Sequence, residues 1–236
     1  MDKEEKQRIL NVTKQFFKEK LINNHIKNTR KLRLKDFNRN PLLENYLANY
    51  AFGNSSNESI AKILIYPRLL GTSITTSFGT LVQQMCSQVL QAYASIGTGM
   101  DIEYNSAIDS QKKYCQLKAG PQTINKDDIK TICDHFKSLK SLGRTNSLKI
   151  TDDDCVVGVL YGDRSDLSAN YKRIEEEGFK VLIGNEFWTD LTGDKSFYSE
   201  LIKEIGSVAA NVNASKELKA AIDRIKKELD GQSSSH

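Results

Sequence analysis

An amide and a lysine lie two residues apart in KKYCQLKAG, residues 112–120. Side chains alternate between the faces of a strand, so Gln116 and Lys118 share one face, while Cys115 and Leu117 share the other, apolar face. One explanation of this pair is structural: a half-exposed strand directs polar side chains to solvent. Beside a carboxylate, the same pair would support metal-assisted hydrolysis of a phosphodiester, because a lysine can orient or deprotonate the attacking water or offset charge on a phosphate.

A carboxylate at a suitable place comes from GTGMDIE, residues 97–103. Two glycines allow a tight turn, and Asp101 and Glu103 then share one face of the strand that follows. A hairpin or bent strand pair would bring Asp101 beside Gln116 and Lys118. Magnesium prefers oxygen ligands and keeps several of its waters, so this arrangement predicts a Mg²⁺ site.

Histidine and cysteine are poorly supplied for other kinds of catalysis. The chain has three histidines and four scattered cysteines, with no CxxC pair. A zinc site or a histidine-based triad is therefore disfavoured, and the cysteines are expected to be reduced core residues. His135 lies beside the inward stripe of a predicted helix, and we expect a structural role for it.

The chain has no feature of a membrane or secreted protein. No apolar run approaches the ~20 residues of a membrane span, and the N-terminus, MDKEEKQRIL, is too polar for a signal peptide. We expect a cytoplasmic protein of a bacterial or archaeal cell, without a membrane partner.

Positive charge is concentrated at the N-terminus. Residues 1–40 contain 12 Lys and Arg against 5 Asp and Glu, a net charge of +7. The whole chain carries +4, which leaves −3 for residues 41–236. A basic end on a mildly acidic body indicates either a polyanion partner or a solvated helix with surplus lysines.

Helical periodicity fills the first ninety-odd residues, and the pattern then changes to strands and helices. The predicted helical part consists of a basic helix that Asn23-Asn24 stops, a helix after Pro41, a helix from Ser56 that Pro67 ends or kinks, a Gly/Ser/Thr-rich loop over 69–80 and a buried helix over 80–95. The later elements are paired strands near 102–104 and 114–119, a helix capped by Asn125, a strand over 155–161, a helix over 170–177, a strand over 179–183, and helices over 197–209 and 218–229.

This order predicts an α/β (α+β) fold with a mixed central sheet and flanking helices. We expect a single domain over 1–236, with a mainly helical part over 1–95, a part that carries the sheet over 96–206 and a C-terminal helix over 207–236.

The spacing Asp101…Gln116-Leu117-Lys118 resembles the signature of the PD-(D/E)xK nucleases. The runs QLKAGPQTINKDDIKTICDHF and GNEFWTDLTGDKSFYSELIKEIG are similar to stretches of type II restriction endonucleases, and the group that cuts GGNCC-type sites is the nearest. The resemblance covers roughly residues 96–206. It implies a restriction-endonuclease-like fold and Mg²⁺-dependent hydrolysis of double-stranded DNA at a short palindromic site, leaving 5′-phosphates. A palindromic target in turn implies a homodimer. The resemblance thus implies a single nuclease domain over 1–236, in which 1–95 form the DNA-binding and dimerisation part and 96–206 the catalytic core.

The resemblance also implies roles for the site residues. Asp101 and the backbone carbonyl of Leu117 would bind metal, and Lys118 would position or activate water. Gln116 departs from the family, which has Asp or Glu there, and an amide brings a carbonyl oxygen but no charge. The missing charge would come from Glu103 or from Glu58, although a salt bridge for Glu103 and a plain helix surface for Glu58 are also open. Alternatively, Gln116 impairs catalysis.

Residues that contact DNA are harder to place. The candidates are Lys62, Arg68, Thr72 within the loop 71–80, Gln122, Asn125 and Arg144, with Arg164 and Lys172 as further possibilities. Gln122 and Asn125 could equally make a turn and a helix cap. Phe187 and Trp188 are expected to pack in the core, not to stack on bases.

Two other functions are compatible with these residues. One is a structure-specific or repair nuclease of the same fold. The other is a catalytically impaired, sequence-specific DNA-binding protein, which Gln116 favours.

Overall fold

Ten helices and five strands occur in the residues that the computed structural model describes, which are 2–89, 93–94, 98–210 and 214–233. The helices are α1 Lys3–Phe17, α2 Asn23–Lys31, α3 Pro41–Phe52, α4 Asn57–Pro67, α5 Ser73–Val89, α6 Lys126–Thr145, α7 Ala169–Glu176, α8 Asn185–Thr192, α9 Phe197–Ala210 and α10 Ser215–Ser233. The strands are β1 Tyr93–Ala94, β2 Ile102–Asn105, β3 Lys112–Lys118, β4 Cys155–Val159 and β5 Lys180–Ile183. Two compact units divide the chain, one of Met1–Gln15 with Gly79–Gly206 and one of Phe16–Phe78 with Ser207–His236.

The first unit contains one mixed sheet, in the order β1-β2-β3-β4-β5. β1, β2 and β3 pair antiparallel, whereas β4 lies parallel to β3 and β5 parallel to β4. A parallel pair needs a crossover, and α6 and α7 supply the two that the sheet requires. This confirms the predicted α+β class with a mixed sheet and flanking helices.

Helices α6 and α7 bury their apolar stripes on one face of the sheet. Their side chains join those of β4 and β5 in one core cluster that includes Ile132, Phe136, Val157, Tyr171 and Ile183. On the opposite face, α8 packs so closely that a Cβ added to Gly158 of β4 would lie 2.7 Å from the Phe187 ring. The sheet is therefore covered on both faces, and polar groups in it need partners or access to its edge.

The second unit is helical. Its core cluster combines residues of α3, α4 and α10, among them Ala48, Ile60, Ile65, Ile225 and Leu229. Of the helix starts predicted here, those of α3 and α4 are confirmed, because Asn40 and Ser56 accept hydrogen bonds from the backbone N–H groups of Leu43 and Ser59.

The predicted stop at Asn23-Asn24 is wrong. The chain passes through a π-helical turn, Lys18–Ile22, straight into α2. Asn24 donates its side-chain amide to the Lys20 carbonyl at 2.7 Å, one turn earlier. The amide is thus satisfied along the helix and does not compete for the backbone as a cap would.

The predicted loop over 69–80 is also wrong. Pro67 ends α4, but a second π-helical turn, Arg68–Thr72, leads directly into α5 at Ser73. The wider turn thus continues the helical path after a residue that lacks a backbone N–H. The predicted helix over 80–95 is partly wrong: α5 ends at Val89, Tyr93–Ala94 are strand β1, and 90–92 and 95 lie outside the described residues.

Two further features follow from the sequence. All four cysteines are buried and free, as predicted. No helix in the described part of the chain has the length and apolar character needed to cross a membrane.

Candidate active site

The β2–β3 pair brings the three predicted catalytic positions together. Ile102 faces Cys115 and Glu103 faces Tyr114 across the antiparallel ladder. Extending this register by one residue places Asp101 opposite Gln116. The Asp101 backbone N–H donates to the Cys115 carbonyl at 2.9 Å. This hydrogen bond extends the pairing of the two segments by one residue beyond the Ile102–Cys115 pair.

Asp101 is fixed by a hydrogen bond from β3. Its Oδ2 accepts from the backbone N–H of Leu117 at 2.7 Å. On the same strand, the carbonyl of Lys118 accepts from Leu160, on the β4 side, at 3.0 Å. Because backbone groups of successive strand residues point to opposite neighbours, the Leu117 carbonyl is directed to the side where Asp101 lies. A carboxylate and a backbone carbonyl thus share one edge of β3.

The electrostatics at Asp101 combine opposing effects. Solvent reaches the side chain, but the protein atoms around the carboxyl remove part of its hydration, which raises its pKa above the ordinary value. The Leu117 N–H and the positive charge of Lys118 oppose this rise.

Gln116 is buried, with 4% of its surface exposed. Its Nε2 donates to the Ile132 carbonyl of α6 at 3.5 Å, a long hydrogen bond. The amide nitrogen is therefore turned towards the helix. At this position an amide N–H can donate to the Ile132 carbonyl, whereas an ionised carboxylate has no hydrogen to donate.

A contact with α6 also fixes the turn before Asp101, and sequence reasoning missed it. Gly99 has φ +82°, and a Cβ built on it would lie 2.3 Å from Nδ1 of His135. Nδ1 is buried and has no hydrogen-bond partner within the described residues. His135 lies three residues after Ile132, on the same helix face. That spacing is the one signal that could have linked His135 to the site.

Both acids proposed to supply extra charge form ion pairs with lysines, which for Glu103 is the salt-bridge alternative left open by the sequence. Glu103 is buried and its Oε2 lies 2.6 Å from Nζ of Lys112. Glu58, in the second unit, lies 2.6 Å from Lys62 and 3.9 Å from Lys226. Across the described ranges, no group of three or more His, Cys, Asp or Glu side chains is arranged to hold a metal.

The donors at the β3 edge nevertheless fit magnesium by type. They are the Asp101 carboxylate, the Leu117 carbonyl and the amide oxygen of Gln116, all hard oxygen ligands. They carry one negative charge in total. Such a set suits an ion that keeps most of its waters and takes further oxygens from a phosphate.

One comparison with known proteins decides the family. The family model for type II restriction endonuclease EcoO109I matches residues 6–213. The chain belongs to this family. No curated protein matches the chain in the corresponding search. Membership makes the protein a site-specific deoxyribonuclease that binds DNA.

Three of the residues predicted to contact DNA in this restriction endonuclease, Lys62, Arg68 and Thr72, lie in α4 or in the π-helical turn after it. Lys62 pairs with Glu58 and lies 5.5 Å from the centre of the Phe52 ring. Arg68 donates to the Asp36 carbonyl at 2.6 Å. Thr72 belongs to a π-helical turn and not to a loop. All three belong to the second unit, whereas β2 and β3 belong to the first.

The remaining candidates lie on the first unit. Asn125 caps α6 by accepting hydrogen bonds from the N–H groups of Asp127 and Asp128. Gln122 is exposed between β3 and α6, and Arg144 is exposed in the last turn of α6. Of these, Gln122 is nearest in sequence to Lys118, so it is the better candidate for a contact next to the site.

Part of the N-terminal positive charge is neutralised within the protein. Five cations of residues 1–40 form ion pairs with carboxylates, and these are Lys6, Lys14, Arg30, Arg33 and Arg39. A charge excess counted from sequence therefore overstates what is available to a polyanion. Phe187 and Trp188 are buried, as predicted, and the Trp188 Nε1 donates to the Leu160 carbonyl.

Replacing Gly99 tests the contact that positions Asp101. We expect Gly99→Ala to lower the free energy of unfolding by about 1–3 kcal/mol, because alanine is strained at positive φ and its Cβ would overlap His135. Adding His135→Ala should restore part of the loss by removing the overlap. Urea denaturation measures both effects, with Gly206→Ala as the control, since no atom lies within 4 Å of a Cβ there. Equal losses in the single and double variants would contradict this packing.

Proposed function

We propose that this protein is a Mg²⁺-dependent type II restriction endonuclease acting as a homodimer. It hydrolyses both strands of a short palindromic DNA site, of the GGNCC type, and leaves 5′-phosphates. The observation that supports this most directly is the Asp101–Leu117 hydrogen bond, with Lys118 next to it on β3. Family membership supports the reaction class.

The residues at the β3 edge have separate tasks in this proposal. Asp101, the Leu117 carbonyl and the Gln116 amide oxygen would hold the metal. Bound Mg²⁺ supplies Lewis-acid stabilisation of the phosphate and a more acidic water. Lys118, half-buried beside Asp101, orients that water or offsets negative charge on the phosphate.

Three segments of the chain divide the remaining work in this proposal. Residues 96–206, which carry strands β2–β5, form the catalytic core. The mainly helical residues 1–95 bind DNA and form the dimer, and the C-terminal segment 207–236 supports them, because α10 shares a core with α3 and α4.

A second function is favoured by one observation. Gln116 directs its amide nitrogen to the Ile132 carbonyl, while Glu58 and Glu103 are both paired with lysines. A site with one carboxylate in place of two binds metal more weakly. The chain would then recognise its DNA sequence without cutting it efficiently.

Digestion of plasmid DNA with Mg²⁺ tests the proposed site. We expect discrete fragments from the natural protein, and at least about 100-fold slower cleavage by Asp101→Ala and Lys118→Ala, the usual loss when a group that stabilises the transition state is removed. Sequence-specific binding should persist in both variants. Matched controls are Asp134→Ala and Lys137→Ala, both exposed on α6.

Other outcomes of the digestion favour other functions. Cleavage by both variants at the natural rate would refute the site assignment. Cleavage of branched or damaged DNA alone would indicate a repair nuclease. Retardation of DNA without cleavage would indicate the binding protein.

Replacing Gln116 by glutamate tests whether a negative charge at this position strengthens Mg²⁺ binding. In EDTA, Gln116→Glu should lose about 1–3 kcal/mol of stability, because a buried carboxylate would face the Ile132 carbonyl without a donor. Mg²⁺ should then raise the Tm of the variant more than that of the natural protein, and cleavage should be faster. Thermal melts with EDTA and with Mg²⁺ measure this, with the exposed Gln111→Glu as control. An equal response of Tm to Mg²⁺ in all three proteins would argue against Gln116 as a ligand position.

A further inference from the structure

Helix α3 presents its apolar side chains to solvent and its charged one to the core. Leu42, Leu43, Tyr46 and Tyr50 are exposed by 86%, 51%, 65% and 81%. The buried residues of this helix are Glu44 and Ala48. This is the reverse of the pattern that a helix shows when its only contacts are those of its own domain. A contiguous exposed apolar face of this kind marks an interaction surface.

The exposed face of α3 carries no charge. Glu44 is the one charged residue of the helix, and its carboxylate is buried against the guanidinium of Arg39, with a closest distance of 2.6 Å. The exposed amides of Asn45 and Asn49 bond to carbonyls of their own helix, at 2.8 and 2.9 Å. Phosphate contacts dominate the affinity of proteins for DNA, so this face is poorly suited to a nucleic acid.

The same face is well suited to protein. Tyrosine is enriched, and charge depleted, at the centres of protein interfaces. The rings of Tyr46 and Tyr50 are stacked, with centroids 6.2 Å apart and planes 8° apart, so they form one continuous aromatic surface. A standard interface buries about 800 Å² per partner. The two tyrosines alone offer on the order of 200–350 Å², and the leucines on both sides add to it.

We infer that the exposed face of α3 is the dimer interface, and that its occupant is α3 of a second copy of this chain. A two-fold interface brings the same patch of each copy together. An uncharged face can meet itself without repulsion between like charges, whereas most of the surface of a chain with 64 charged residues (34 basic and 30 acidic) cannot. The inference rests on the homodimer of the proposed function and names the surface that forms it.

Sedimentation velocity of the full chain without DNA tests this surface. We expect a dimer for the natural protein at micromolar concentration, and about 100-fold weaker association for Leu42→Glu/Tyr50→Glu, the loss expected when interface anchors are removed. Ile202→Glu, on an isolated residue of α9 that is 55% exposed, is the control and should remain dimeric. A monomeric natural protein, or a double variant that associates as tightly as the natural protein, would overturn the inference.

A pair of variants with opposite charges distinguishes loss of the interface from loss of the fold. Mixing Leu42→Glu/Tyr50→Glu with Leu42→Lys/Tyr50→Lys should restore a dimer of one copy of each, because opposite charges then meet across the two-fold axis. Failure to form this mixed dimer, with both variants folded by circular dichroism, counts against the α3 face. Association is measured here apart from cleavage, so a protein that dimerises through α3 but does not cut DNA would refute the nuclease proposal alone.

Discussion

The hydrogen bond from the Leu117 N–H to the Asp101 carboxylate is the contact on which the candidate site depends. β2 begins one residue after Asp101, so the ladder by itself does not orient this side chain. Accepting the N–H of the neighbouring strand fixes the carboxylate at the edge where the Leu117 carbonyl emerges. Lys118 follows directly on β3, so an acid, a carbonyl and a cation occupy one short stretch of a rigid sheet, as a preorganised site requires.

Helix α6 supports this edge from one face of the sheet. Its Ile132 carbonyl accepts from Gln116, and its His135 ring packs on Gly99, two residues before Asp101. The helix therefore contacts both β3 and the segment before β2, through residues about one turn apart. The Ile132 carbonyl also accounts for the amide at position 116, because a side chain that lies next to a buried carbonyl is favoured when it can donate a hydrogen bond. A bound metal would instead favour a negatively charged side chain at this position.

Much of the fold and of the site could be predicted from the sequence, because local patterns carry them. Alternation in 112–118, the Asn125 cap and the Gly-rich turn before Asp101 each act over a few residues. The π-helical turns after Phe17 and Pro67 could not be predicted, because an asparagine pair or a proline does not show by itself whether a helix stops or continues through a widened turn. A salt bridge of Glu103 is among the alternatives open from the sequence, but its partner, Lys112, follows only from the pairing of β2 with β3.

Anomalous diffraction from crystals grown with Mn²⁺ and a duplex would test the central claim most directly. Manganese takes the same oxygen ligands as magnesium and has an anomalous signal that locates it. The account predicts a peak at the β3 edge, bound by the Asp101 carboxylate and the Leu117 carbonyl, with a DNA phosphate completing the coordination and Lys118 beside it. A fully occupied metal elsewhere, with Asp101 still bonded only to Leu117, would contradict it.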